Sequence, residues 1–485
     1  MHRYVQGSGI SRRRFVATMA GGIGSIALAS MLERDAQGDE PRWTPPDGRP
    51  HFAPKAKSVI WLFLNGGMSH LESFDPKPAL NRYAGRSISE TPYAYVMDPE
   101  LLNRNNRVVV INDANGQQRV QVYPMQVGWR KHGQSGIEVT DWFPHVAGVI
   151  DDCTIVRSLW TSDNNHGAQT QFHSGRHMLD GNYPTLGAWV NYGLASLNDN
   201  LPQYISMGNR VYWNARDGHY LGPAHDAIPL RVDPARPVDF IRPETDTRPD
   251  EQAIGFDLIN RLNRESALRN PGDQALQARI RSYELAFRMQ TSLPEVLDIR
   301  GESQETQRLY GLDNTGTRDV GTQLLVSRRL IERGVRFIQI QHGAGGAGVW
   351  DAHSGLRANH SRNIASIDKP VAGLIADLKR RGLLDDTIFV LATEFGRTPG
   401  AQGGYGRDHH IYGFSVLLAG GGLKPGTVHG VTDELGFHAV EHRHYVTDVH
   451  ATIMHLLGLD SHRLVVPCRQ RLAIDHGTPM REIMA

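Results

Sequence analysis

Two cysteines in 485 residues, Cys153 and Cys468, are too few for a disulfide framework, and neither stands in a thiolate pair of the kind that holds zinc. One bridge between them is the most the chain allows. A surplus of charge is missing as well. Lys plus Arg is 52 against 51 Asp plus Glu, so the net charge gives no argument for nucleic acid or an anionic membrane surface as partner. No internal repeat or low-complexity tract stands out. A run of about 20 strongly apolar residues, which a membrane-spanning helix needs, is also lacking. What remains is a globular chain with 40% hydrophobic and 21% charged residues, able to bury a large core.

The apolar stretch that is present, Val16 to about Leu32, is interrupted by Gly21, Gly22 and Gly24 and followed by Glu33-Arg34-Asp35. Before it stands Ser11-Arg12-Arg13-Arg14-Phe15-Val16, a twin-arginine box. A basic segment followed by a short apolar region is the pattern of an export signal. Residues 1–35 are therefore expected to direct the protein out of the cytoplasm, to the periplasm or beyond, with membrane contact only if the signal stays uncleaved. The twin-arginine route carries folded proteins, many of them already loaded with a metal or cofactor. Residues 36–56, rich in Pro, Gly and charge, read as a linker.

From Lys57 onward the chain alternates between two patterns. Continuous apolar runs of strand length, which mark strands buried on both faces, occur at 58–64, 154–158, 336–340, 387–392 and 414–419. Helical patterns lie between them, at 321–334, 364–381 and 445–457. Such alternation predicts an α/β protein with a mostly parallel sheet covered on both sides. Residues 210–310 differ: a Pro-rich loop (227–249) precedes helical stretches at 250–269 and 273–290, which read as an inserted helical region.

Histidine is the residue in excess. There are 23, nine of them between His409 and His462, which raises the expectation of a metal or acid–base site. In open parallel sheets, ligands bind at the carboxyl ends of the strands. Four of the expected strand ends carry candidate groups. They are Asn65 to Lys77 after the first strand, Ser162 to Arg176 after the second, and Gln341-His342 with Asp351-Ala-His353 after the third. Thr393-Glu394 with Arg397 and Asp408-His409 follow the fourth. Singly, each also fits a loop ion pair or a cap. Gathered at one sheet edge, carboxylates and imidazoles suit a divalent metal. Asp351, His353, Glu394 and His409 are the expected principal ligands, with Asn65 and Asp408 as weaker ones, and no cationic partner is expected among them.

Several motifs carry a resemblance. Gly-Gly-Met-Ser-His-Leu-Glu-Ser-Phe-Asp-Pro-Lys-Pro (66–78), Trp-Asp-Ala-His (350–353), Glu-Phe-Gly-Arg-Thr-Pro (394–399) and Gly-Arg-Asp-His (406–409) resemble the bacterial domain of unknown function 1501 family. Leu-Ala-Gly-Gly-Gly-Leu (418–423) and the segment Asp448 to Asp460 resemble it too. The order of elements is similar to the alkaline phosphatase and sulfatase superfamily. The resemblance runs from about Lys57 to the C-terminus, so 57–485 is expected to form a three-layer sandwich of that kind. It implies one or two divalent ions, with zinc, manganese or iron favoured over calcium. By position, Asn65 stands where the superfamily has a metal-binding Asp, Asp351 and His353 resemble an Asp and His pair, Glu394 replaces the Asp of an Asp-His pair, and His409 fits the last His. The nucleophile position falls on Asn165 with His166 beside it, and neither is the superfamily's Ser, Thr or formylglycine. Ser162 or Thr161 substitutes if the loop is shifted.

Two functions follow from these expectations. One is an exported hydrolase of a phosphate or sulfate ester, possibly of an extracellular polysaccharide, with Arg397 or Arg176 pairing with the anion and His166 as nucleophile or acid–base group. The other is a metal-stabilised surface protein that binds an anionic glycan or partner without turnover.

Overall fold

The computed structural model describes residues 46–103, 119–208, 216–233, 238, 249–270, 274–403 and 405–485. The twin-arginine segment 1–35, the first part of the linker and most of the Pro-rich loop 227–249 lie outside the described residues.

A nine-stranded sheet forms the centre. Its strands are β1 (Ser58–Leu64), β2 (Cys153–Trp160), β3 (Tyr204–Gly208), β4 (Ile228–Pro229), β5 (Phe337–His342) and β6 (Thr387–Ala392). A hairpin apart from the sheet, β7 (Gly396–Gln402) and β8 (Gly406–His410), comes next; β9 (Phe414–Ala419), β10 (Thr427–His429) and β11 (His444–Tyr445) complete the sheet. The order is β10-β2-β9-β6-β1-β5-β3-β4, with β11 also on β2. Only the pairings of β9, with β2 and β6, are antiparallel. All the others are parallel. The carboxyl ends of β1, β2, β5 and β6 therefore share one edge.

The apolar runs are continuous because both faces of the sheet are covered. In β1, Ile60, Leu62 and Leu64 point into one core, with Leu324, Ile367, Val371 and Leu374 from α5 (Thr315–Ile331) and α6 (Leu356–Arg380). Val59, Trp61 and Phe63 point into the other. There they meet α1 (Ala168–Ser174), α2 (Leu186–Gly193) and α7 (Val446–Leu456). The result is a three-layer α/β/α protein with a mostly parallel sheet. At about 25 cal/mol per Å², these alternating side chains supply the main favourable contribution to folding.

Three helices depart from their sequence patterns, α5 by starting at Thr315 and ending at Ile331 where the pattern covers 321–334. The pattern places the start of α6 at Ile364, but the helix begins at Leu356. Its first two turns are polar, so periodicity misses them. Asn359 and Asn363 both donate to Val349 O at 2.9 Å, and His360 Nε2 accepts from Ser69 N at 2.9 Å. These turns thus support the loops that carry the site. In the inserted region, α3 (Pro249–Arg269) and α4 (Gln274–Leu297) form; α4 continues through Pro294, where Leu293, Val296 and Leu297 enter the core. Both cysteines are free, Cys153 buried and Cys468 exposed, so the one possible bridge is not made. Among the described residues no helix is long and apolar enough to cross a membrane.

Candidate metal centre

At the shared carboxyl edge, loops from four strands converge on Asp351. His353 Nε2 stands 3.0 Å from Asp351 Oδ1, and His409 Nε2 stands 3.2 Å from the same oxygen. The two imidazole nitrogens are 3.1 Å apart. On the other carboxylate oxygen, His166 Nε2 lies 3.4 Å from Asp351 Oδ2, while its Nδ1 lies 3.1 Å from Glu394 Oε1. Asp408 Oδ1 approaches His353 Nδ1 at 3.5 Å. Two groups of potential metal donors result, His166 with Asp351 and His409, and His353 with Asp408 and His409.

The outer ring nitrogens are held by acceptors. His409 Nδ1 donates to Asn164 O at 2.9 Å, so its Nε2 presents a lone pair. His353 Nδ1 lies 2.5 Å from Gln402 Oε1. With both Nδ1 atoms donating, three electron-rich atoms meet within 3.0–3.2 Å of one another. Something positive must sit among them, either a proton on His353 or a cation. Ligands bound at about 2.0–2.1 Å to one tetrahedral ion lie roughly 3.3 Å apart, close to the spacing found. Asn65 adds a buried Oδ1 without a protein partner at the end of β1. The donor set therefore fits a divalent metal.

Charge at the site follows from these contacts. Burial disfavours charge on His166, but its hydrogen bonds to Asp351 and Glu394 prevail and raise it to about 9. Burial takes His409 the other way, to about 3, despite Asp351. His353 is raised by its hydrogen bond to Asp351, against its own burial. Burial would lift the Asp351 carboxyl, yet bonds from His166, His353 and His409, with Arg397 beside them, hold it far below the usual range.

Arg397 corrects the sequence reading. It is fully buried beneath the site, with Nη2 2.7 Å from Asp351 Oδ1, Nε donating to Gly67 O at 2.9 Å, and Nη2 also donating to Gly66 O. The guanidinium is engaged by the protein and faces no open cleft. Asp408 likewise has a cationic partner, Arg119 Nε at 2.7 Å. The expectation of carboxylates without cations is thus overturned, and the imidazole lone pairs carry the case for a metal. Arg176 pairs with Asp475 instead, Nη2 to Oδ2 at 2.9 Å.

The glycine turn after β1 sets this arrangement. Gly66 has φ +120°, and a Cβ there would lie 2.5 Å from Asp351 N. Only glycine admits both the backbone angle and the approach. Its N–H donates to Glu394 Oε1 at 2.8 Å.

The remaining candidates sit at the border. Asn65 Nδ2 donates to His342 O at 3.4 Å. Asn165 Oδ1 accepts from the N–H of His166 at 2.7 Å, which leaves Asn165 a local turn partner of His166. Thr161 Oγ1 and Ser162 Oγ both bond to Gln171, at 2.6 and 2.8 Å. Neither hydroxyl is seen bonded to an imidazole of the cluster. Asn164 and Gln169, which lie in the 162–176 segment but were given no role there, support the site, as do Gln402 and Arg119, which sequence reasoning missed; Gln169 Nε2 donates to Glu394 Oε1 at 3.1 Å. Gln169 is three residues after His166 at the start of a helix, a spacing that could have revealed it. Arg119 comes from a distant loop with no such signal.

Solved structures similar to this chain include the lipoteichoic acid synthase LtaP from Listeria monocytogenes, at 8% identity and TM-score 0.35 over 92% of this chain and 82% of that one. The C-terminal periplasmic domain of EcEptC from Escherichia coli, in complex with Zn, has 8% identity and TM-score 0.36 over 89% and 92%. The phosphonate monoester hydrolase SpPMH from Silicibacter pomeroyi has 14% identity and TM-score 0.32 over 65% and 68%. With TM-scores this low, strand order and packing define the fold, not these likenesses. No curated protein sequence matches the chain. The family model "Protein of unknown function (DUF1501)" matches residues 56–484, nearly the whole described chain, and this protein belongs to that family.

Proposed function

We propose that this protein is an exported, divalent-metal-dependent hydrolase of a phosphate or sulfate ester, with an anionic glycan as the favoured substrate class. The observation that supports it is the meeting of His353 Nε2, His409 Nε2 and Asp351 Oδ1 within 3.0–3.2 Å at the carboxyl edge of the sheet. Asp351, His353 and His409 would hold the ion, with His166, Asp408, Glu394 and Asn65 close enough to complete one or two sites. Mixed nitrogen and oxygen donors without thiolate favour zinc, manganese or iron over calcium. Such an ion supplies Lewis-acid polarisation of an ester oxygen.

The chain's own chemistry centres on His166. Its ring is held on both nitrogens, Nδ1 by Glu394 and Nε2 by Asp351, and burial keeps water from competing. A histidine raised to about 9 retains its proton at neutral pH, so it is suited to protonating a leaving oxygen. As a nucleophile the ring would first have to give up that proton and its hold on one carboxylate, and Thr161 and Ser162 are bonded to Gln171 instead. Arg397 acts in this reading through Asp351 and the Gly66 and Gly67 carbonyls, not on the substrate anion. Residues 1–35 would deliver the protein beyond the cytoplasm, and 57–485 would form one sulfatase-like domain with the 210–310 region as its insertion.

A second reading has one observation in its favour: among the described residues no serine, threonine or cysteine side chain is seen bonded to an imidazole of the cluster. On that ground the site would bind an anionic glycan or partner without cleaving it. Metal analysis of purified protein, combined with a screen of phosphate and sulfate esters, separates the readings. Turnover that requires the metal and is lost in His166→Ala supports hydrolysis. Stoichiometric metal without turnover of any ester supports binding, and absence of stoichiometric metal overturns both.

A further inference from the structure

The histidine excess near the C-terminus is only partly taken up by the central cluster. Three other imidazoles gather at the outer edge of the sheet. His429 ends β10 and pairs in register with Val156, while His444 opens β11 and pairs with Leu159, so both lie along the same side of β2. Their Nε2 atoms face each other at 2.9 Å. Asp448 Oδ2, four residues beyond His444, stands 3.0 Å from His444 Nδ1. A carboxylate in that position keeps the proton on Nδ1 and leaves a lone pair on Nε2, the arrangement that orients metal-binding histidines.

A third ring is close. His442 lies 4.9 Å from His429, centroid to centroid, and its backbone is held at φ 47°, in the left-handed region that a histidine rarely adopts. Its carbonyl is fixed by the Ser158 hydroxyl at 2.5 Å. His429 is buried at 7% exposure, whereas His442 is exposed.

We propose that His429 and His444, joined by His442 as third donor, form a second transition-metal site at this edge, with Asp448 orienting His444. Two donors are in place, and His442, its ring centroid 4.9 Å from that of His429, would have to turn toward them to supply the third. Imidazole donors without thiolate select zinc, nickel or copper(II) over magnesium or calcium, with copper(II) tightest in the usual order. The site shares no residue with the cluster around Asp351. A bound ion would link β10 to β11 and hold both short strands to β2. The competing arrangement is an ordinary hydrogen bond from one Nε2 to the other.

The test uses the full chain with zinc alone as probe, measuring bound zinc per protein after removal of excess ion and affinity by calorimetry. In His429→Gln/His444→Gln, zinc bound should fall by one equivalent, while the class lost in Asp351→Ala persists. Asp448→Asn should weaken the edge class about 10- to 100-fold. In the copper(II)-loaded Asp351→Ala protein, nitrogen couplings in the paramagnetic resonance spectrum should disappear when His429 and His444 are replaced. If the double variant does not fold, exposed His442→Ala serves, with at least a tenfold loss of edge affinity expected. Equal zinc stoichiometry and affinity in wild type and the folded variants would overturn the proposal and leave the hydrogen bond.

Discussion

His353 and His409 meet nitrogen to nitrogen, Nε2 to Nε2 at 3.1 Å, with the Asp351 carboxylate against both. Their outer nitrogens are occupied by Gln402 and Asn164, so the pair has little freedom to turn away.

A cation at this centre binds the folded state and not the unfolded chain, so it stabilises by mass action, by about 2.7 kcal/mol at 100 times its Kd. A chelator should lower the Tm of wild type by more than that of Asp351→Ala, which keeps only the proposed edge site. Thermal unfolding with and without chelator measures this. Equal shifts in the two proteins would remove Asp351 from the ligand set.

The frame beneath the site depends on a fully buried ion pair, Arg407 Nη2 with Glu72 Oε1 at 2.7 Å. The same guanidinium donates to Thr398 O at 3.0 Å and Pro399 O at 3.1 Å, which sets the hairpin bearing Asp408 and His409. Removing one partner leaves a charge buried alone, at a cost of about 3–5 kcal/mol. Glu72→Ala should lose that much in urea unfolding, and Glu72→Leu with Arg407→Met should lose less. A single variant within about 1 kcal/mol of wild type would contradict this.

Acid should destabilise the fold through histidines far from the candidate ligands. Burial, with His450 nearby, lowers His173 to about 3, and burial lowers His450 to about 4 even though its Nε2 donates to Phe172 O at 2.7 Å. Both are neutral in the folded state and charge near 6.5 when unfolded. Their stabilisation is thus complete above about pH 6.5 and is lost as pH falls toward 4. The slope is about 1.4 kcal/mol per pH unit for each group. His450→Gln retains a donor for Phe172 O and should flatten the decline between pH 6.5 and 4.5 by about one such slope. Chemical denaturation across that range measures it, and an unchanged slope would show that His450 is not responsible.

Export should depend on the arginine pair at 12 and 13. Arg12→Lys with Arg13→Lys should retain the full-length protein in the cytoplasm, scored by cell fractionation. Normal export of the double variant would remove the twin-arginine assignment.

Much of the fold was legible in the sequence because β1, β6 and β9 are buried on both faces and read as unbroken apolar runs, with bounds that match residue for residue. The strand ends then named the residues that meet at one edge, since parallel strands bring their carboxyl ends together. The polar first turns of α6 were not legible, because Asn359, His360 and Asn363 face loop backbone and leave no apolar period. Arg397 read as a free anion-binding group, yet only the folded chain shows its guanidinium engaged by Asp351 and the glycine-turn carbonyls. Residue type and spacing by themselves determined the α/β class and named the candidate ligands, while the family was legible as a resemblance of whole motifs. Which imidazole faces which carboxylate, and which arginine lies beneath them, was decided by the tertiary structure. Apart from His353 with Asp351, those contacts join residues 46 to 331 positions apart, beyond the reach of any local pattern.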